Sequence, residues 1–177
     1  ADYSTKESQG NANLDYTELV VGPGIYWSLR EGSWVRATLG YAERDQDNPA
    51  LEDYSGLVGR ITGVWAKSEA KSIRMSVWHE ISSFGDEIAT FALVTGASID
   101  PTFQIGNRAY VSFELGYETR DFRGEPDLPG QILPHRDDDV LTGVFRLEWR
   151  LTENSNISGE YRTQDRQSTR GGRDYEF

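Results

Sequence analysis

Residues 108–120 read Arg-Ala-Tyr-Val-Ser-Phe-Glu-Leu-Gly-Tyr-Glu-Thr-Arg, and this stretch decides the fold class. Apolar side chains occupy every second position from Ala109 to Tyr117, with polar or small residues between them. Because a β-strand points successive side chains to opposite faces, this period of two predicts a strand with one apolar face and one polar face. The apolar face ends in an aromatic residue, Tyr117.

The same alternation recurs along the chain and predicts about eight strands, arranged as four β-hairpins between residues 14 and 164. The predicted strands cover about residues 16–29, 34–44, 54–66, 73–80, 87–98, 108–118, 140–151 and 156–164. Pro23 cannot donate a ladder hydrogen bond, so we expect a bulge or break at this position. Residues 1–13 are predicted to form a polar loop, and residues 165–177 a loop followed by the start of a further strand.

Length and composition limit the classes of protein that remain. With 177 residues, the chain is expected to form a single domain. It has no cysteine, which excludes disulfides and thiolate metal sites, and no apolar run approaches the roughly 18 residues of a membrane helix. The net charge of -11 argues against nucleic acid as a main partner, because binding to phosphates requires a basic surface.

Alternation alone does not separate a soluble β-sandwich from a transmembrane β-barrel, since both have one apolar and one polar face. Two further features favour a barrel. The connections between strands are alternately short and long, as in outer-membrane barrels. The predicted strands, at about 10 to 13 residues, are long enough for a tilted bilayer crossing and exceed the usual length of about 5 to 6 residues in soluble sheets.

The aromatic residues of the apolar face separate by type. The tryptophans lie beside short turns and the tyrosines beside long loops: Trp27, Trp65 and Trp149, and Tyr41, Tyr117 and Tyr161. Amphipathic rings at both ends of an apolar band are typical of the two interfacial girdles of a membrane barrel. We therefore predict an all-β, antiparallel, up-and-down transmembrane β-barrel in the bacterial outer membrane, in contact with outer-membrane lipid.

The direction of the strands places residue 1 on the extracellular side. A complete bacterial barrel begins and ends in the periplasm, so we expect this chain to be an internal or truncated section of a larger barrel. The terminal Phe177 resembles the aromatic C-terminus of outer-membrane proteins. We discount this resemblance, because Phe177 comes only a few residues into its predicted strand.

Three ordered segments resemble a β-barrel porin family: Leu14-Asp15-Tyr16-Thr17-Glu18 leading to Gly22-Pro23-Gly24, then Leu39-Gly40-Tyr41, then Tyr54-Ser55-Gly56-Leu57-Val58-Gly59-Arg60. Within that family the chain is similar to the EpsL-type outer-membrane proteins of exopolysaccharide gene clusters associated with exosortase and PEP-CTERM sorting. The resemblance covers most of the chain, from Leu14 to Phe177. It implies an outer-membrane barrel with a role in polysaccharide secretion or assembly, with polysaccharide and other secretion components as partners. The family brings no catalytic motif.

The polar face supplies the candidate functional residues, which we predict to face the lumen of the barrel. They are Arg36, Arg60, Arg74, Trp78, Glu80, Tyr110, Glu114, Arg146, Glu148, Arg150 and Arg162. Two interpretations stay open. The charges could line a route for an anionic or neutral glycan, with Trp78 and Tyr110 stacking on sugar rings. Alternatively, cross-strand ion pairs could fill a narrow lumen, with both rings packed against their neighbours.

Two acidic stretches have oxygen ligands suited to a hard cation, Arg136-Asp137-Asp138-Asp139 and the set Asp45, Asp47, Asn48 and Asp53. Neither has the spacing of a known calcium loop, so we interpret both as solvated acidic loops and predict no metal site and no cofactor. The only histidines, His79 and His135, are not spaced for a catalytic triad, so we predict no enzyme activity and no catalytic residue. The alternative function is a non-conducting structural or glycan-binding β-protein, either a surface anchor or a soluble sandwich.

Overall fold

The computed structural model of the chain is an antiparallel β-sheet and describes residues 2–7, 16–48, 51–68, 70–83, 91–123, 136–152, 155–169 and 175–176. Its strands are β1 Asp2–Glu7, β2 Tyr16–Gly22, β3 Gly24–Arg30, β4 Ser33–Gln46, β5 Tyr54–Ser68, β6 Lys71–Ser82, β7 Phe91–Ile105, β8 Ala109–Arg123, β9 Arg136–Thr152, β10 Ser155–Ser168 and β11 Tyr175–Glu176. The all-β antiparallel class predicted from the alternation is confirmed. Within the described residues there is no helix long and apolar enough to cross a lipid bilayer.

Neighbours in the sheet follow the order of the chain, which is the up-and-down arrangement that the sequence predicts. The break expected at Pro23 is confirmed: β2 ends at Gly22, β3 begins at Gly24, and both strands pair with β4. The Pro23 carbonyl still accepts a hydrogen bond from the Leu39 backbone N–H at 3.1 Å. β1 and β11 are the outermost strands in the sheet order, and no pairing between them closes the described part of the sheet.

The prediction that residues 1–13 form a loop is wrong for Asp2–Glu7. These residues form β1 and pair in register with β2, from Asp2 opposite Gly22 to Glu7 opposite Thr17. The stretch Asp-Tyr-Ser-Thr-Lys-Glu lacks an apolar alternation, so the pairing comes from the neighbouring strand rather than from a local pattern. At the other end, β11 pairs with β10 where the sequence predicts the start of a further strand.

The prediction of a solvated acidic loop at residues 136–139 is also wrong. β9 begins at Arg136 and β8 continues to Arg123, so the predicted loop of residues 119–139 is shorter at both ends. Arg136 and Asp138 are buried while Asp137 is exposed, because the strand alternation continues through these charged residues. The prediction for His135 falls outside the described residues.

The two ends of the sheet differ in the length of their connections. At one end, here called the turn end, the strands are joined by residues 31–32, 69–70, 106–108 and 153–154. At the other, the loop end, they are joined by residues 8–15, 47–53, 83–90, 124–135 and 169–174. Gly32 and Gly106 have φ values of 71° and 61°, which a residue without Cβ adopts at little cost and which allow these tight turns.

The large apolar side chains are exposed along one face of the sheet, here called the apolar face. Leu39, Leu115 and Leu147 are 58%, 56% and 40% exposed. The six predicted girdle residues are exposed on this face as well: Trp27, Tyr41, Trp65, Tyr117, Trp149 and Tyr161. Soluble monomers rarely expose apolar patches larger than roughly a few hundred Å², so a face of this extent requires an apolar surrounding.

The buried core lies on the opposite, polar face, near the loop end. Ala92, Val94 and Phe122 form a buried cluster, and Trp78 packs against it. Gly96 makes room for that ring, because a Cβ at this position would lie 2.5 Å from Trp78 Cζ2. The polar face is therefore filled by side chains at its loop end, and its charged groups are arranged around this cluster.

Candidate functional site

The arginine and carboxylate side chains predicted for the lumen lie together on the polar face, and most of them form ion pairs. In the middle of the face, Arg60 binds Glu80 through two hydrogen bonds, from Nη2 at 2.6 Å and from Nε at 3.0 Å. The guanidinium carbon of Arg60 lies 5.0 Å from the centroid of the Trp78 ring. Trp78 also packs against the buried cluster, so its ring contacts both a guanidinium and apolar side chains.

A second network lies nearer the turn end and centres on Arg146. This guanidinium lies 2.7 Å from Glu114, 2.9 Å from Glu160 and 3.7 Å from Asp100, and Glu160 also contacts Arg162 at 3.3 Å. Side chains of three strands, β7, β8 and β10, therefore contact Arg146 from both sides of β9. Asp100 is the member that the sequence did not predict, because it lies between the predicted strands of residues 87–98 and 108–118. It lies in β7, between the outward-facing Ile99 and Pro101.

The remaining predicted residues divide into covered and open side chains. Arg150 lies 5.1 Å from the centroid of the Tyr110 ring, and Glu148 accepts a hydrogen bond from Asn156 at 3.2 Å. Within the described residues, neither Arg36 nor Arg74 forms an ion pair. Arg36, Arg74 and Arg150 are all exposed, and Arg74 is opposite Asp100 of β7 in register.

At the loop end, a buried arginine joins strands that are not neighbours. Arg44 is 1% exposed and lies 3.5 Å from Glu18. Its guanidinium also donates to Ser83 Oγ at 3.1 Å and lies 3.5 Å and 4.9 Å from the ring centroids of Tyr16 and Phe91. The Tyr16 and Phe91 rings and the Glu18 carboxylate together stabilise the buried positive charge of Arg44.

These contacts fix the curvature of the sheet. The hydroxyl of Tyr16 in β2 lies 3.0 Å from that of Ser83, which follows β6, although β4 and β5 separate the two strands in the sheet. On a flat sheet three strand spacings would separate them by about 14 Å. The sheet therefore curls strongly toward its polar face at the loop end, as the wall of a barrel does.

A fourth group of ion pairs, also at the loop end, lies in the segment that the sequence predicted as loop. Asp138 has no exposed surface and contacts both Arg136, at 2.8 Å, and Arg166. The Arg136 guanidinium lies 3.8 Å from the centroid of the Phe122 ring. A signal in the sequence could have located the cluster, since Arg136, Asp138 and Val140 continue the inward positions of β9.

The described residues contain no grouping of His, Asp or Glu that could hold a metal ion. Asp53, one of the predicted oxygen ligands, instead accepts a hydrogen bond from the Gln46 backbone N–H at 2.8 Å. His79 is exposed on the apolar face, with Nδ1 at 2.6 Å from Thr95 Oγ1, and so lies apart from the charged networks.

The family described as Putative beta-barrel porin 2 matches the chain over residues 4–177. No curated protein and no solved structure matches it. The family match extends over nearly the whole chain and includes the four groups of ion pairs described above.

Proposed function

The chain belongs to the family of Putative beta-barrel porin 2, and from this membership we propose that it forms the wall of an outer-membrane β-barrel that serves exopolysaccharide secretion or assembly. A porin family points to the outer membrane and to a protein without enzyme activity. The part in exopolysaccharide export is our inference from the resemblance of the three glycine- and tyrosine-containing segments. In this proposal the polar face lines the lumen and the apolar face contacts lipid.

The observation that carries the proposal is the continuous exposed apolar face. On β9 this face runs from Leu141 to Leu151, and at about 3.3 Å per residue this is roughly 33 Å along the strand. With a tilt of about 40° the vertical height is about 25 Å, which is the height of the apolar band of outer-membrane barrels. Tyrosine and tryptophan side chains are exposed at its two ends.

The polar face supports the glycan part of the proposal. Its arginines and carboxylates are arranged in networks that leave the guanidinium groups partly exposed; the side chains of Arg146 and Arg60 are 35% and 43% exposed. Hydrated charges of both signs suit a polymer rich in hydroxyl groups, and the open arginines suit one that carries carboxylates.

A second function is favoured by the loop end. There Tyr16, Ser83, Arg44 and Phe91 make contact across the polar face, and Phe91 has no exposed surface. A barrel filled in this way at one mouth would not conduct. It would act as a structural or glycan-binding component of the secretion apparatus.

Single-channel recording separates these two functions. The protein is reconstituted in a planar bilayer, and conductance is recorded before and after addition of an acidic polysaccharide. Steady conductance that the polysaccharide blocks is the result expected for a conduit. Stable insertion without conductance would support the structural function, and failure to insert would contradict both, since each requires a membrane barrel.

Ion selectivity tests whether the Arg146 network faces the lumen. Arg146→Gln removes one positive charge from a network that holds three carboxylates, so we expect a shift of the reversal potential toward cation selectivity in a salt gradient. Arg108→Gln, in the turn between β7 and β8, serves as the control because it removes the same charge outside the network. Equal shifts for the two variants would contradict a lumenal position of Arg146.

A further inference from the structure

Two aromatic residues outside the predicted set lie side by side on the polar face, at the turn end. Tyr26 of β3 is opposite Arg36 of β4 in register, and Trp34 is opposite Ser28, so the two rings are diagonal neighbours. Their centroids lie 5.9 Å apart, with 31° between the ring planes. Tyr26 is 65% exposed, and every other residue of β3, which pairs only with β4 in the described sheet, is exposed as well.

The surroundings of this pair differ from those of the other polar-face aromatics. The rings of Trp78 and Tyr110 each have a guanidinium beside them. Among the described residues, no cation–π contact involves Tyr26 or Trp34, and Arg36 beside them is exposed and forms no ion pair. An aromatic surface and a cation therefore lie next to each other, and within the described part of the chain the rings make no cation–π contact and Arg36 forms no ion pair.

The neighbouring strands β5 and β6 contribute small hydroxyl side chains to the surroundings of the aromatic pair. Arg36 is opposite Thr62 of β5, and the Thr62 hydroxyl is hydrogen-bonded to that of Ser76 at 3.1 Å. Trp34 is opposite Val64, which is in turn opposite Arg74 of β6. Two strand spacings of about 4.8 Å thus separate the Trp34 backbone from that of Arg74, which has Asp100 of β7 opposite it in register.

We propose that Tyr26, Trp34 and Arg36 form a binding platform for a glycan that carries carboxylates, with Arg74 as a second cation for the next sugar. A sugar ring presents an apolar C–H face, which packs on an aromatic ring, while its hydroxyl groups bind polar side chains. A guanidinium binds a carboxylate through two parallel hydrogen bonds, and this selects a uronic acid over a neutral sugar. The platform deepens the proposed function and rests on it, since it assigns the substrate class.

Binding to defined oligosaccharides tests the platform. The protein in lipid nanodiscs is titrated by calorimetry with hexagalacturonate and, separately, with neutral maltohexaose. We expect Tyr26→Ala to weaken binding of hexagalacturonate by roughly tenfold or more, since an aromatic contact is lost. Arg36→Gln should weaken it by a similar factor and leave any binding of maltohexaose unchanged, because only the charge-assisted bonds are removed.

A matched control makes the result specific. Arg108→Gln removes a turn-end charge outside the platform, and this variant should bind hexagalacturonate as the unchanged protein does. Circular dichroism in the nanodisc confirms that each variant is folded. Unchanged affinity of folded Tyr26→Ala and Arg36→Gln would overturn the platform while leaving the proposed function intact. No binding of hexagalacturonate by the unchanged protein would overturn the platform, and conductance without block by acidic polysaccharide would then overturn the proposed glycan conduit.

Discussion

Replacing Leu147 with arginine is expected to impair insertion of the protein into a lipid bilayer. Leu147 is exposed near the middle of the apolar stretch of β9, opposite Val111 and Gly159 in register. A charged side chain at the midplane of a membrane barrel costs about 2–4 kcal/mol, because the guanidinium leaves water for hydrocarbon. The measurement is the free energy of unfolding in liposomes, obtained from reversible urea titration.

The matched control is Ser158→Arg, on the neighbouring strand β10 and on the polar face, opposite Glu148. There the new charge stays in water beside a carboxylate, so we expect a change within about 0.5 kcal/mol. If Leu147→Arg were as stable and as well inserted as Ser158→Arg, the assignment of the apolar face to lipid would be wrong.

Replacing Asp138 with alanine is expected to cost about 3–5 kcal/mol of stability, the range observed when one partner of a buried ion pair is removed. Asp138 has no exposed surface, and its carboxylate contacts two arginines, of which Arg136 is itself 2% exposed. The substitution leaves that guanidinium buried without the carboxylate that compensates its charge. Urea unfolding of the inserted protein measures the loss.

Asp137 provides the control, because it is the adjacent residue of β9 and has an exposed side chain. Its backbone contacts with Thr169 survive substitution, so Asp137→Ala should change the stability by about 0.5 kcal/mol or less. Similar losses for Asp137→Ala and Asp138→Ala would show that the cluster is solvated, contrary to the packing described above.

The alternation in the sequence was sufficient to predict most of the strands and the two faces of the sheet. In β8 the alternation from Ala109 to Tyr117 gives the apolar face directly, and Pro23 gives the interruption between β2 and β3. Both are local signals. β1 was missed because Asp2–Glu7 has no apolar period, and its pairing partners in β2 are ten or more residues away in the chain.

The ion-pair partners of the charged residues could not be predicted from the sequence, because the strand register and the curvature of the sheet determine them. The pairing of Arg146 with Asp100 needs β7 and β9 to approach across β8, and the contact of Arg44 with Phe91 needs the sheet to curl. Tyr26 and Trp34 were a different case. Both lie at inward positions of their strands, so the alternation itself would have placed them beside Arg36 on the polar face.

The most direct test of the account uses the absence of cysteine from the chain. Single cysteines placed in turn at residues 111–117 of β8, in the protein reconstituted in liposomes, carry a nitroxide label whose collisions with lipid-soluble oxygen and with a water-soluble nickel complex are measured. We predict a period of two, with labels at Val111, Phe113 and Leu115 reached by oxygen and labels at Ser112, Glu114 and Gly116 reached by nickel. Equal access of the nickel complex to all seven positions would contradict a lipid-facing apolar surface and, with it, the membrane barrel.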